Sequence, residues 1–221
     1  MCESATFRRL CEEVSNVGER DNPISVRSKR RITESLLELM HDTPFAKISI
    51  KDIVERAGLT RQTFYHNFES KEEVLIHKEE ELFEGLLQYL VDNRISDWEN
   101  IIWFYFRYWQ RNSDFVKLLI NNNLVYILEA KYPEYFKLMQ FVEFRETDLS
   151  DIEAEYVYSF VSGAIVNMLV SWIKTGMVMT AREMADLVMQ ILDGTVLKRN
   201  SHEPAILDTL QETKAPELTI D

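Results

Sequence analysis

Two short helical patterns, separated only by Gly58-Leu59-Thr60, constrain the fold of this chain more than any other feature. Before this break, apolar residues recur at Ile50, Ile53, Val54 and Ala57, which is the spacing of one face of an α-helix. A glycine readily takes the left-handed conformation that ends a helix. A threonine hydroxyl caps the helix that follows. Two short helices joined by such a tight turn are typical of a helix-turn-helix.

The second helix of this pair is predicted to expose a polar face. That face carries a guanidinium, an amide, a phenol and an imidazole, contributed by Arg61, Gln62, Tyr65 and His66. Arginine and glutamine pair bidentately with guanine and adenine in the major groove, and a tyrosine hydroxyl can donate to a phosphate. We interpret this face as a surface that reads DNA, while Phe64 points to the core. Lys71, at the next helix start, adds a cation suited to a phosphate.

The remainder of the chain also has helical periodicity. The 221 residues include only six glycines and five prolines, which favours long helices over a turn-rich β fold. We predict an all-α protein of about nine helices, in which a three-helix head with the helix-turn-helix precedes a helical bundle. The predicted segments are a mobile N-terminal arm at 1–26, the DNA-binding domain at 27–72, a ligand-sensing and dimerisation domain at 73–198, and a frayed tail at 199–221.

Charge is distributed unevenly along the chain. The net charge is −12 at pH 7, yet residues 27–71 contain nine basic and six acidic residues, whereas 72–221 contain 13 and 26. Because salt confines the field of an exposed charge to about 8–10 Å, a small basic head can bind a polyanion despite an acidic body. Chance asymmetry of a solvated surface would produce the same distribution, so charge alone does not decide between these readings.

The stretch ISIKDIVERAGLTRQTFYHNFESKEEVL resembles the signature of the TetR/AcrR family of bacterial regulators. The likeness covers residues 27–76 and implies a TetR-like fold in which the third helix recognises DNA. Gln62 and Asn67 depart from the family pattern, where a small residue and an aromatic residue are common, and this favours a distinct operator. The run from Gly163 to Gly176 is similar to the C-terminal region of one TetR-like subgroup.

The resemblance and the face geometry together define a predicted DNA-binding set. The resemblance implies phosphate contacts from the start of the first helix and from Ser49, and further DNA contacts from the third helix and Lys71. The full predicted set is Arg27, Ser28, Lys29, Ser49, Thr60, Arg61, Gln62, Thr63, Tyr65, His66 and Lys71.

A ligand site is predicted in the body, where residues 97–111 are rich in aromatic side chains. Such residues can wall a pocket for a small apolar or aromatic ligand. Aromatic residues at helical spacing are more often part of a core, so both readings stay open. The candidate ligand-binding residues are Trp103, Phe106, Tyr126, Met139, Met168 and Trp172.

A homodimer is predicted because the last two helices carry more apolar surface than one bundle needs. Paired recognition helices also read half-sites about one helical turn, ~34 Å, or more apart, which matches a two-fold symmetric protein. Packing within one chain is the alternative. The candidate interface residues are Tyr156, Phe160, Gly163, Ala164, Asn167, Met184, Val188 and Ile191.

Other classes of protein are disfavoured by the sequence. Cys2 and Cys11 imply no disulfide framework or zinc site, and the histidines lack metal-ligand spacing, so no metal or cofactor is expected. The sequence offers no candidate catalytic triad or phosphate loop, so an enzyme is not expected. The chain lacks a secretory signal, and its most apolar stretch, Phe160–Ile173, is shorter than the ~20 residues of a membrane span, so we expect a cytoplasmic protein.

The sequence therefore predicts a dimeric repressor that a small molecule releases from a near-palindromic operator. A TetR-like activator or co-regulator that works through a partner protein is the first alternative. A helical adaptor that has lost DNA binding is the second.

Overall fold

The computed structural model describes residues 23–95, 97–132, 135 and 149–196, and their regular structure is entirely helical. The prediction of an all-α protein with about nine helices is confirmed for these residues. The helices are α1 (Pro23–Asp42), α2 (Ile50–Ala57), α3 (Arg61–Asn67), α4 (Lys71–Asp92), α5 (Trp98–Arg111), α6 (Ser113–Asn121), α7 (Tyr126–Glu129), α8 (Asp151–Lys174) and α9 (Ala181–Leu192), with a 3₁₀ turn at Phe45–Lys47.

Helix α1 begins at Pro23, four residues before the predicted start of the DNA-binding domain. Proline suits the first turn of a helix because its φ is preset and its missing N–H has no helical partner there. The hydroxyl of Ser25 also donates to Oδ1 of Asn67 at 2.7 Å. Residues 23–26 therefore belong to the packed head and not to the predicted arm, whereas residues 1–22 and the predicted tail at 199–221 lie outside the described residues.

The head, α1–α3, is built around the apolar stripe of α1. This helix packs against α2, α3, α4 and α6. Ile32 and Leu36 of α1, Ile53 of α2 and Phe64 of α3 are completely buried. Burying side chains of this size contributes about 1.5–3 kcal/mol each, so this small core is sufficient to orient the two short helices.

The body continues from α4 into a bundle in which α8 packs against α5, α6 and α7. Its core is largely aromatic on α5, where Phe106 and Trp109 are completely buried. Helix α4 belongs to both parts, because its N-terminal end contacts α1 and its C-terminal part contacts α5.

The chain forms two compact units, Met1–Asp186 and Leu187–Asp221. The first unit contains α1–α8. Of the second unit, the structure describes residues 187–196, which comprise the end of α9 and a turn with Gly194 in the left-handed region at φ 72°. Helix α9 ends at Leu192, earlier than the predicted end of the body at 198.

Helix α8 is long and apolar enough to cross a membrane by length and composition, with 24 residues and a mean hydropathy of 1.5. The apolar run Phe160–Ile173 lies within this helix, which Ser150 and Glu153 cap at its start. Core helices of soluble proteins pass the same test, and 44% of the most apolar window of α8 is buried within the chain. Several other apolar residues of α8 are exposed.

Candidate DNA-recognition interface

The helix-turn-helix is formed by local hydrogen bonds that the sequence specifies. Ser49 caps α2 through a reciprocal capping box with Asp52, whose pKa is lowered by hydrogen bonds from the Ser49 side chain and backbone. Gly58 ends the helix in the left-handed region at φ 60°, where a side chain would be strained. Thr60 then caps α3 by accepting from the N–H of Thr63 at 3.1 Å. Three residues outside the helices, Gly58, Leu59 and Thr60, therefore suffice for the change of direction.

Helix α3 presents the predicted polar face to solvent. Arg61, Gln62, Tyr65 and His66 are exposed, and Tyr65 is exposed over 59% of its surface. Phe64 is completely buried and lies 5.6 Å from the Tyr65 ring in an edge-to-face arrangement. The geometry fits insertion of α3 into a major groove.

The residues of α1 that are predicted to contact phosphates differ in their exposure to solvent. Arg27 is exposed, Lys29 is half-buried, and Ser28 is buried at 9% exposure. The burial of Ser28 weighs against a direct phosphate contact by its hydroxyl, which stays a prediction. Ser49 is exposed, but its hydroxyl donates to Asp52 Oδ2 at 2.6 Å and is engaged in capping α2.

Lys71 makes contacts within the chain that sequence reasoning did not predict. Its ammonium donates to the backbone carbonyls of Phe45 at 2.6 Å and Ile48 at 2.9 Å. It also lies 4.2 Å from the centroid of the Phe45 ring, within the range of a cation–π contact. Lys71 therefore links the start of α4 to the 3₁₀ turn. A phosphate contact by Lys71 stays a prediction, and a phosphate would compete with these two carbonyls for the ammonium group.

Asn122 also binds the 3₁₀ turn at Phe45–Lys47, and sequence reasoning did not identify it. Oδ1 of Asn122, at the end of α6, accepts from the backbone N–H of Phe45 at 2.7 Å. Its Nδ2 donates to the carbonyl of Leu118, which orients the amide group. The 3₁₀ turn before α2 is thus held by Lys71 of α4 and by Asn122 of the body. The three consecutive asparagines at 121–123 could have indicated a polar contact at the end of α6. The sequence could not show that this contact is with Phe45, because the two residues are 77 positions apart.

Asn67 has a structural role that explains its departure from the family pattern. Its Nδ2 donates to the carbonyl of Thr63 at 2.7 Å, and its Oδ1 accepts from Ser25. An aromatic residue here could not make both bonds. The amide therefore ties the end of the recognition helix to the first turn of α1.

The candidate ligand residues that the structure describes lie in different environments. Phe106 and Trp172 are buried and pair edge-to-face at 5.5 Å, as core residues do. Tyr126 is 52% exposed, Trp103 and Met168 are half-buried, and Met139 lies outside the described residues. Two cavities open on the described part of the body, one between α4 and α5 and one beside α8, and their linings include none of the six.

The candidate dimer residues divide between two environments. Tyr156 and Phe160 are 69% and 77% exposed and lie one turn apart on α8, with Ala164 and Asn167 exposed further along the helix. Gly163 and Ile191 are half-buried. Met184 and Val188 of α9 are buried within the chain at 5% and 2% exposure. This burial weighs against contacts of Met184 and Val188 with a second copy, and their part in a dimer interface stays a prediction.

A buried carboxyl group lies among tyrosines in the body. Glu79 of α4 is completely buried, its Oε1 has no hydrogen-bond partner, and its Oε2 accepts from the hydroxyl of Tyr135 at 3.4 Å. Burial, followed by the nearby charge of Glu80, raises the pKa of Glu79 to about 8. Tyr105 donates to Tyr132 at 3.1 Å in the same region, and burial raises the pKa of both phenols. Glu79 is thus largely protonated at neutral pH.

A helical head that presents an exposed, capped recognition helix defines a DNA-binding helix-turn-helix protein. Comparisons with known proteins make this more specific. Residues 32–77 match the profile described as bacterial regulatory proteins of the tetR family, and residues 96–194 match the profile described as a transcriptional regulator C-terminal region. The chain belongs to the TetR family of transcriptional regulators. It is a DNA-binding transcriptional regulator.

Individual relatives support the same assignment. The HTH-type dhaKLM operon transcriptional activator DhaS of Lactococcus lactis is 26% identical over 148 residues, which cover 64% of this chain and 76% of the relative. A solved structure of a dihydroxyacetone kinase operon activator DhaS has 22% identity and a TM-score of 0.51, covering 76% of this chain and 96% of that one. A TetR regulator from Streptococcus agalactiae 2603V has 19% identity and a TM-score of 0.54, covering 76% and 94%. These two structures show a shared fold.

Proposed function

We propose that this chain is a cytoplasmic homodimer that binds a near-palindromic operator through α3 and regulates transcription of the adjacent genes. The observation that carries the proposal is the exposed face of Arg61, Gln62, Tyr65 and His66 on a helix whose opposite side is anchored by buried Phe64. Two such faces related by two-fold symmetry would enter successive major grooves of one duplex.

Selection of bound fragments from a random duplex library tests operator binding. The purified protein should enrich a near-palindromic site, whereas a Tyr65→Ala, His66→Ala double variant should not. A Lys117→Gln variant, changed at an exposed body lysine, serves as the control and should enrich the same site. Enrichment of nothing by the unchanged protein at low salt, where phosphate contacts are strongest, would refute operator binding by this chain alone.

The proposed dimer rests on the exposed face of α8. Ile152, Tyr156 and Phe160 are each at least 66% exposed and follow one another at intervals of four residues. A contiguous apolar stripe of this kind marks an interaction surface. Sedimentation should show a dimer for the unchanged protein and a monomer for Phe160→Glu. Val178→Glu, at an 85% exposed apolar residue outside α8, should remain dimeric, and an equal loss in both variants would contradict this interface.

We propose repression as the output, with release when a small molecule favours a head spacing that no longer fits the operator. Such coupling is typically worth about 1–3 kcal/mol. Activation is the second candidate, because the relative from Lactococcus lactis is described as a transcriptional activator. A reporter fused to the selected operator, in strains with and without the gene, separates the two. Higher expression in the deletion strain indicates repression, and lower expression indicates activation, either directly or through a partner protein.

A further inference from the structure

The cavity between α4 and α5 has the chemistry of an anion site. It has a volume of about 130 Å³, close to the ~150 Å³ of an engineered protein cavity that accepts benzene. Leu86 and Phe104 supply apolar walls, and Arg107, Tyr108 and Arg111 supply polar groups. A site of this size suits one small ring or a short apolar chain together with one polar group.

The polar side chains of this lining are dominated by hydrogen-bond donors. Arg107 and Arg111 bring two guanidinium groups, and the lining contains no aspartate or glutamate. Among the residues the structure describes, no carboxylate forms an ion pair with either arginine, in contrast to Arg30, Arg56 and Arg182. Because the chain has a net charge of −12, acidic residues are plentiful, yet none of those described pairs with these two arginines.

Arg107 and Arg111 place two like charges on one face of α5. They are four residues apart on α5, and like charges at this spacing destabilise a helix. The guanidinium carbon of Arg107 lies 5.3 Å from the centroid of the Trp103 ring, a cation–π contact that restricts its position. A bound carboxylate would remove the repulsion and accept hydrogen bonds in the paired geometry that guanidinium groups favour.

Gly85 of α4 allows the third donor to approach. A Cβ atom at this position would lie 2.6 Å from the hydroxyl oxygen of Tyr108, so only glycine permits the phenol to pack this closely against α4. Partial burial, followed by the charge of Glu81, raises the pKa of Tyr108. The hydroxyl therefore keeps its proton at neutral pH and can donate.

We propose that this cavity binds a small amphipathic carboxylate, with its apolar part against Leu86 and Phe104 and its carboxylate held by Arg107 and Arg111. The walls belong to α4 and α5, and α4 begins at the Lys71 contacts with the 3₁₀ turn of the head. A ligand bound between these helices would act on the element that joins body and head. This regulatory consequence rests on the operator binding proposed above, whereas binding of the carboxylate does not.

Isothermal titration of the full chain with benzoate, cyclohexanecarboxylate and hexanoate tests the site. At least one should bind once per chain, and the corresponding neutral amide should bind about tenfold more weakly or worse. Arg107→Gln and Arg111→Gln should each weaken binding about tenfold or more, as expected for loss of a charge-assisted hydrogen bond. Lys117→Gln removes one exposed positive charge from α6 and should leave the affinity within about twofold. Absence of binding at millimolar concentrations, or equal loss in the lysine control, overturns the proposal.

The regulatory consequence has a separate readout. Operator affinity is measured with and without the carboxylate that binds, in the unchanged protein and in Arg111→Gln. If the carboxylate changes the operator affinity of the unchanged protein but not that of Arg111→Gln, the cavity is an effector site. If the free protein binds no operator while the carboxylate still binds, the proposed function fails and the site stands. If the operator is bound and no carboxylate binds, the site fails and the proposed function stands.

Discussion

Replacement of Glu79 by glutamine should make the stability of the protein less dependent on pH. Burial, followed by the charge of Glu80, raises the pKa of Glu79 from 4.5 to about 8 in the folded protein. In the unfolded chain the group has its ordinary pKa. Between these two values the folded state binds one proton more than the unfolded state, so the free energy of unfolding falls as pH rises.

The magnitude follows from the size of the shift. At about 1.36 kcal/mol for each pKa unit, the raised pKa of Glu79 lowers the free energy of unfolding by about 5 kcal/mol once pH exceeds 8. Roughly half of this loss, on the order of 2 to 3 kcal/mol, falls between about pH 5.5 and pH 7.5. Glutamine is neutral throughout, has nearly the same shape, and retains an oxygen that can accept from Tyr135.

Urea unfolding at about pH 5.5 and pH 7.5 measures the effect. The difference in free energy of unfolding between Glu79→Gln and the unchanged protein should grow by about 2 to 3 kcal/mol in favour of the variant over this interval. Glu129→Gln, at an exposed carboxylate of α7, should show no such change. Parallel pH profiles for Glu79→Gln and the unchanged protein would refute the buried, protonated state of Glu79.

Three further predictions concern the head. Arg61→Ala should cost about 1–3 kcal/mol of operator binding and relax specificity at one base pair, and an unchanged base preference would contradict its assigned contact. Lys71→Met should lower the melting temperature, because two carbonyls lose their donor. If Lys71 also contacts a phosphate, as the sequence predicts, the salt slope of operator binding should become shallower by about one, and an unchanged slope would contradict that contact. Asn122→Ala should accelerate hydrogen exchange of the Phe45 amide, and Asn122→Asp, which keeps the acceptor, should do so less. Equal exchange in all three proteins would show that Asn122 does not hold this turn.

Features that depend on residues close together in the sequence could be predicted from the sequence. The Ser49 and Thr60 caps and the left-handed Gly58 were all predictable, because their hydrogen bonds span three or four residues. Helix periodicity likewise predicted which side of α3 is buried, since it places Phe64 far from the centre of the polar face that runs from Arg61 to His66. The fold class and the recognition face could therefore be predicted without knowing how the helices pack.

Only the tertiary structure decided the contacts between distant parts of the chain. The ammonium of Lys71 meets carbonyls 23 and 26 residues away, and Asn122 meets an amide 77 residues away. A sequence pattern shows that Lys71 is a cation and that Met184 is apolar, but not which surface each one meets. That choice depends on the arrangement of whole helices, because a polar group takes the nearest partner that packing leaves available. The same reason explains why the burial of Glu79 and the Arg107–Arg111 cavity emerge only from the folded chain.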